Sequence, residues 1–407
     1  MNEQKMPFLK RVVLRNYKSI HACDVSLGSL MLLVGPNGSG KSNFLDALSF
    51  VADSLRSTMD QALRIRGGIK EVRRRSRGHP NYFTVLLELS LQGSVNASYQ
   101  FLVGTREGHF GIQEEKCSIG NGIKQAEYWI QEGVIKSSSF HPTPPVPVDR
   151  LYLNIASGYP EFRPLFESLS GMGFYNINPA KLREYQEPDP GSLLLKDGGN
   201  LTSVLDWIKR NNKKVKERIE EYLGSIVSGI KGVDTTTFGT KETLEFKQLV
   251  AGDEYPWSFF AQNMSDGTLR ALGVLVSLFQ CFDRPQESPI PLVGIEEPES
   301  TLHPAATSAL MGALHEASHF TQVLVTSHSP DLLDTEELDP DSLLIVDAQE
   351  GKTTIGPADD ASKSAMMDRL YTAGELLKLE QLKPQPKPLE PFDDEEEFPL
   401  FRQSHET

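Results

Sequence analysis

Eight consecutive residues, Gly35-Pro36-Asn37-Gly38-Ser39-Gly40-Lys41-Ser42, constrain this chain more than any other feature. They fit the pattern G-x-x-x-x-G-K-[ST], and their flanks supply the context that the pattern requires. The apolar run Ser29-Leu30-Met31-Leu32-Leu33-Val34 before them predicts a buried strand. After them, Phe44, Leu45, Leu48, Val51, Ala52 and Leu55 recur at helical spacing, which predicts a helix over 42–60. A glycine-rich turn between strand and helix lets successive backbone N–H groups and the helix N-terminus wrap a phosphate chain. Gly35, Asn37, Gly38, Ser39, Gly40, Lys41, Ser42 and Asn43 are therefore the expected nucleotide contacts, with ATP as ligand. Lys41 should reach the β- and γ-phosphates and Ser42 should ligate Mg2+.

Three later strings complete this reading. Pro291-Leu292-Val293-Gly294-Ile295-Glu296-Glu297 is an apolar strand ending in two acids, which delivers carboxylates to the carboxyl edge of a sheet, where open α/β folds bind ligands. Glu296 is expected to hold the metal, and Glu297 to orient or deprotonate an attacking water. Val323-Leu324-Val325-Thr326-Ser327-His328 is a second strand, ending in a histidine aimed at the γ-phosphate or that water. A lone histidine after a strand is more often structural; one that follows the carboxylate strand by a single helix is a catalytic candidate. Met264-Ser265-Asp266-Gly267-Thr268 precedes an apolar helix, with Ser265 placed to cap it and Gly267 permitting close backbone approach. Ser265 and Gly267 are candidate sensors of a neighbouring subunit's ATP.

Around these strings, alternation over 8–34 and from Tyr82 to Trp129 predicts strands, the second group an antiparallel sheet. The expected organisation is a phosphate-loop lobe with its antiparallel sheet at 1–140 and a mainly helical insertion at 141–245, entered by a Pro-rich link at 141–147. A lobe carrying the other three motifs follows at 246–383, then an acidic, disordered tail at 384–407. Strand–helix alternation is expected from Lys247 onward, giving an α/β core. No apolar run reaches the ~18–20 residues that span a bilayer, and the N-terminus has no secretory h-region. Cys23, Cys117 and Cys281 lack ligand or disulfide spacing, so a reducing cytoplasm is the expected compartment. The net charge is −14, of which the tail carries −5.

The order phosphate loop, serine–glycine signature, Glu-Glu strand and His strand resembles the ABC-type heads of the SMC/RecF group. NYKSI, RGGIKEVRRRS, LLLKDGGNLTSVL, SDGTLRALG, IEEPESTLHP, TSHSPDLLD and YTAGELLKL narrow the resemblance to compact stand-alone ATPases related to the OLD family and RecF, over residues 8 to 380. The resemblance implies a head with an antiparallel β lobe and a helical insertion, closing head-to-tail with a second copy. ATP held by Lys41 and Ser42 of one protomer would be capped by Ser265 and Gly267 of the other. Glu299-Ser300-Thr301-Leu302 would cross the interface. Glu296 stands where the family's metal-associated residue is Asp, and the family's Gln-loop residue cannot be placed by spacing. The OLD-type nuclease domain and the SMC coiled coil have no counterpart expected in this sequence, so a separately encoded nuclease or effector is the expected partner.

Arg64, Arg66, Lys70, Arg73, Arg74, Arg75 and Arg77 form a basic cluster of the composition that phosphate-contacting surfaces need, and are candidate double-stranded DNA contacts. A solvated basic loop, or one paired with the protein's own acids, would have the same composition. Two readings stay open. One is a DNA-responsive ATPase switch in genome maintenance or anti-phage defence. The other is a scaffold that dimerises on ATP and holds a toxic partner inactive with little turnover.

Overall fold

The structure is a computed structural model that describes residues 7–385, except 77–79, 92–94, 107–108, 122–124, 148, 281, 283–289 and 336–337. The strands in chain order are β1 (Leu9–Tyr17), β2 (Ile20–Ser26), β3 (Leu30–Val34), β4 (Tyr82–Leu91), β5 (Val95–Arg106), β6 (His109–Gly120), β7 (Gln125–Gln131) and β8 (Val134–Ser138), followed by β9 (Gly173–Tyr175), β10 (Ile230–Phe238), β11 (Lys241–Gln248), β12 (Trp257–Phe260), β13 (Leu292–Glu296), β14 (Gln322–Ser327), β15 (Leu343–Gln349) and β16 (Lys352–Pro357). The helices are α1 (Lys41–Arg56), α2 (Met59–Arg64), α3 (Ile69–Val72), α4 (Leu153–Ala156), α5 (Arg163–Ser170), α6 (Pro179–Arg183), α7 (Leu201–Asn211) and α8 (Lys213–Ile226), then α9 (Asp266–Phe279), α10 (Thr307–Ser318), α11 (Pro330–Leu333), α12 (Asp360–Met367) and α13 (Ala373–Lys378).

Thirteen strands form one sheet in the order β8-β7-β6-β5-β4-β1-β2-β16-β15-β3-β14-β13-β9. Strands β15, β3, β14, β13 and β9 run parallel to one another, and the β1–β4–β8 half is antiparallel. The central residues of β3, β13 and β14 are apolar because both faces of the sheet are covered there. Alternation decides which face each side chain meets. Leu33, Leu324 and Leu344 join the core with Phe44, Leu48 and Val51 of α1. Leu32, Val34, Val323, Val325 and Ile345 join the opposite core with Leu272, Leu275 and Phe279 of α9 and Leu310 and Leu314 of α10. The phosphate-loop strand is thus clamped between a helix layer on each side.

The lobes read from the sequence share this sheet. Gln322 at the start of β14 accepts from Leu9 N (2.8 Å) and donates to Leu9 O (2.8 Å) and Gly28 O (2.7 Å), tying the third lobe to the first. Three details differ from the pattern-based expectation. The first helix stops at Arg56, and α2 begins where the Thr58 hydroxyl accepts from Gln61 N. The segment expected to be helical contributes β9, three residues long and therefore too short to alternate visibly. Between it and the signature lies a second, three-stranded antiparallel sheet, β10-β11-β12: β10 and most of β11 stand in the segment expected to be helical, and β12 stands where strand–helix alternation was expected. Trp257-Ser258-Phe259-Phe260 of β12 is mostly exposed, so it shows no polar–apolar pattern to read. A buried carboxylate anchors the antiparallel half. Glu115 accepts from the Tyr99 and Tyr128 hydroxyls and from the N–H groups of Tyr152 and Leu153, where α4 starts. The tail from 386 and Cys281 lie outside the described residues.

Candidate nucleotide site

Gly40 ends the glycine-rich turn at φ 107°, in the left-handed region that a side chain disfavours, and α1 starts at the next residue. The turn is braced from two directions. The Thr353 hydroxyl on β16 donates to Ser39 O (2.8 Å) and is hydrogen-bonded to Ser19 Oγ (2.7 Å), and Asn43 Nδ2 donates to Ser19 Oγ (2.7 Å). Lys41 is buried, and its ammonium donates to Gly35 O (2.8 Å) and Pro36 O (2.9 Å). Burial lowers its pKa, while Glu297 and Glu299 pull it back up, so Lys41 shares an electrostatic site with both acids. Ser42, Asn37 and Gly38 are exposed at the mouth of the turn.

Glu296 ends β13, in register with Thr326 of β14. The chain then turns sharply: Glu297 has φ 44°, a strained value for a residue with a side chain, and its N–H is held by Thr326 O (3.0 Å) and Thr326 Oγ1 (3.2 Å). That turn presents the Glu297 carboxylate to His328, whose Nδ1 lies 3.0 Å from Glu297 Oε1; Ser300 Oγ donates to Oε2 at 3.3 Å. Arg270 of the signature helix α9 reaches the same turn, donating to Glu296 O (3.0 Å), Glu297 O (3.2 Å) and Ile177 O (3.2 Å).

Glu299 departs from the expected interface loop. Its side chain turns inward, 6% exposed, and Oε1 accepts from Ser327 Oγ at 2.5 Å. Burial raises its pKa, opposed by the Ser327 hydrogen bond. Thr301, by contrast, is exposed. Ser265 caps α9, its Oγ accepting from Thr268 N (3.2 Å), and is itself exposed. Gly267 packs so closely on the 301 loop that a Cβ there would lie 2.6 Å from Thr301 O. Arg183 at the end of α6 steadies the signature by donating to Met264 O (2.8 Å) and pairing with Asp266 (2.5 Å).

Lys41, Glu297, Glu299 and His328 are thus brought together as neighbours in charge or hydrogen bonding, while Gly267 packs on the 301 loop and Ser265 caps the same helix. Sequence reading missed Ser19, Thr353, Thr326, Ser327, Arg183 and Arg270, which brace the site from other elements. Of these, Ser19, Thr326, Ser327 and Arg270 lie inside strings already singled out, though not for this role, while Thr353 and Arg183 lie outside them. The oxygen-only pair of a hydroxyl at Ser42 and a carboxylate at Glu296 is the donor chemistry that Mg2+ prefers.

The basic cluster is largely turned inward or paired. Arg66 is withdrawn as a DNA contact: its side chain is 5% exposed, pairs with Asp46 (2.8 Å) and Asp53 (2.7 Å), and lies over the Phe50 ring. Arg64 pairs with Asp60 (2.6 Å) and Arg75 with Glu71, and Arg73 donates to Pro80 O (3.1 Å). Arg74 is half-buried and Lys70 is exposed; Arg77 lies outside the described residues.

A sheet with a parallel half carrying a phosphate loop, an acidic strand end and a histidine strand end, beside a serine–glycine helix cap, defines the class: an ABC-type ATPase head of the SMC/RecF-like group. The particular family follows from residues 30–121 and 131–334, which match the family described as "AAA domain, putative AbiEii toxin, Type IV TA system". The match spans more than half of the chain, and the chain belongs to that family. No curated protein sequence matches it. Among solved structures, it is similar to an SMC head bound to the C-terminal winged-helix domain of ScpA, at TM-score 0.55 and 14% identity, covering 86% of this chain and 97% of that one. It is also similar to an SMC head with an extended coiled coil bound to the C-terminal domain of ScpA, from Pyrococcus furiosus, at TM-score 0.54 and 11% identity, covering 90% and 100%. At such identities the likeness establishes the fold. Among the described residues no helix is long and apolar enough to cross a membrane.

Proposed function

We propose that this chain is an ATP-hydrolysing switch that closes head-to-tail around two ATP molecules and passes its state to a separate effector. The observation that carries the reading is the Glu297–His328 pair, held at 3.0 Å just past the ends of two adjacent parallel strands, with Glu297 also acting on the charge of Lys41. Lys41 and the backbone N–H groups of 35–43 bind the phosphates of the substrate. Ser42 and Glu296 hold Mg2+, which neutralises phosphate charge when bound. Glu297 accepts the proton of the attacking water, and His328, with Nδ1 committed to Glu297, keeps Nε2 for the γ-phosphate side. Ser265, exposed at the N-terminus of the 14-residue helix α9, completes the partner's site in the dimer. Two solved heads of this fold were captured with a ScpA domain, and the family's description names a toxin of a toxin–antitoxin system; both support an output through another protein. DNA contact, if it tunes this switch, falls to the exposed Arg64, Lys70 and Arg75 with the half-buried Arg73 and Arg74, in genome maintenance or anti-phage defence.

The test is the specific rate of ATP hydrolysis against protein concentration, with and without double-stranded DNA. A rate that rises with concentration, and further with DNA, is expected. Glu297→Gln should lower kcat by about 10²- to 10⁴-fold and trap an ATP-bound dimer in size-exclusion chromatography. A wild-type rate near background at every concentration, with ATP still bound, would replace this reading with the low-turnover scaffold.

A further inference from the structure

The buried carboxylate of Glu299 has no part in the catalysis outlined above, yet it sits within that site. One oxygen, Oε1, accepts from Ser327 Oγ at 2.5 Å; the other, Oε2, is buried with no hydrogen-bond partner among the described residues. A carboxylate is costly to bury half-satisfied, so its place has to be maintained by what it holds. What it holds is a turn. Ser327 is the last residue of β14, fully buried, and its hydroxyl also accepts from Ser329 N at 3.1 Å. The Ser327 side chain therefore spans the residue between them, His328, from both sides. Glu299 and Glu297 leave the same turn after β13, so one side of that turn meets His328 directly and the other fixes the backbone that carries it.

We propose that Glu299, acting through the Ser327 hydroxyl, is a positioning residue that sets the His328 ring against Glu297. The inference rests on the hydrolytic reading of Glu297 and His328. The route is short: Glu299 Oε1 receives the Ser327 O–H, which fixes the hydroxyl's rotation so that its lone pair faces Ser329 N. The backbone of 327–329 is thereby locked, and the His328 Nδ1 to Glu297 Oε1 distance is locked with it. No hydrogen bond in this path reaches the phosphate loop, and Ser327→Ala leaves in place the Glu299 charge whose field Lys41 shares, so nucleotide affinity should be indifferent to Ser327→Ala. Gln at 299 keeps an acceptor for Ser327, whereas Met keeps the bulk and removes the acceptor.

The experiment uses the full chain with Ser327→Ala, Glu299→Met, Glu299→Gln and the Ser327→Ala/Glu299→Met double variant. ATP dissociation constants, kcat and KM are measured, together with imidazole ¹⁵N NMR signals, the His328 resonances being identified by their loss in His328→Gln. Ser327→Ala and Glu299→Met are expected to lower kcat at least about tenfold, as a misplaced catalytic group does, with the ATP affinity of Ser327→Ala within twofold of wild type. The double variant should lose no more than the worse single one, and Glu299→Gln should retain most of the rate. The His328 Nδ1 signal should move in the Ser327→Ala protein toward that of an imidazole free of Glu297. Ser327→Ala removes a single oxygen, so it keeps the test open where Glu299→Met fails to fold. An unmoved His328 signal in Ser327→Ala, or a kcat within twofold of wild type, overturns the proposal. A wild-type chain that hydrolyses nothing sinks the ATPase reading instead, and the NMR shift then still decides whether Glu299 and Ser327 position His328.

Discussion

Lys41 is the residue on which the proposed nucleotide site turns, and its surroundings make a definite prediction. Its ammonium is buried, donates to two carbonyls of its own loop, and shares the field of Glu297 and Glu299. Lys41→Ala removes charged phosphate contacts worth ~1.5–3 kcal/mol each, so ATP affinity should fall by about a hundredfold. A nucleotide titration showing unchanged affinity would overturn the assignment. Arg66 predicts a different outcome. Burial favours the neutral form of Asp46, yet Arg66 and Lys18 hold its carboxyl below the ordinary value. A carboxyl depressed in this way adds stability that is present above its unfolded pKa and is lost as pH falls through the carboxylate range. Arg66→Ala, which strands Asp46 and Asp53, should cost about 1–3 kcal/mol in urea unfolding at neutral pH and flatten the acid side of the stability profile. Both residues were visible as chemistry in the sequence. Only one was visible as to role, because a cluster of arginines does not reveal which of them the protein's own acids have taken.

At the scale of elements, the signature helix α9 shows how two strings far apart in sequence are fitted together. Gly267 lies where a Cβ would be 2.6 Å from the carbonyl of Thr301, and backbone cannot yield as a flexible side chain can. Gly267→Ala should therefore push α9 off the 301 loop and, through Arg270, disturb the Glu296–Glu297 turn. Hydrolysis should fall while ATP binding to the isolated protomer persists; equal hydrolysis by the Ala variant would show the contact to be slack. Several of the longer elements were legible from periodicity, but β10 and β11 were not, and they stand in the segment expected to be helical. The helix after the phosphate loop, the apolar strands ending at Glu296 and Ser327, and the meander after Tyr82 all stand where their patterns put them. Strand β9 did not announce itself, because Gly173-Phe174-Tyr175 is fixed by its pairing with β13 and by nothing local. The exposed strand β12 was hidden for a related reason: with few of its side chains buried, the alternation that marks a strand is missing. The bracing of the phosphate loop by Ser19 and Thr353 was equally out of reach, since it depends on β16 returning beside β2.

At the scale of the whole molecule, charge decides what the surface can meet. The chain carries −14, and the basic cluster spends much of its charge on Asp46, Asp53, Asp60 and Glu71. Reversing the exposed Arg64 and Arg75 to Glu should weaken DNA binding and reduce the slope of affinity against salt concentration. Arg66→Ala, in contrast, should leave that slope unchanged. Binding that responds to neither change places the DNA surface, or the absence of one, elsewhere.

The single sheet also sets an order of events during synthesis. The phosphate loop emerges early, but β3 acquires its parallel neighbours only when β14 and β15 arrive, and its glycine turn is braced by Thr353 near the far end of the described chain. Pairings over such sequence separations form late and slowly. A ribosome-bound chain therefore carries the phosphate loop's sequence long before it carries a nucleotide pocket. On the function proposed above, competence to bind ATP arrives together with Glu297 and His328, so a half-made protein would not present an ATP-charged face that it is unable to discharge.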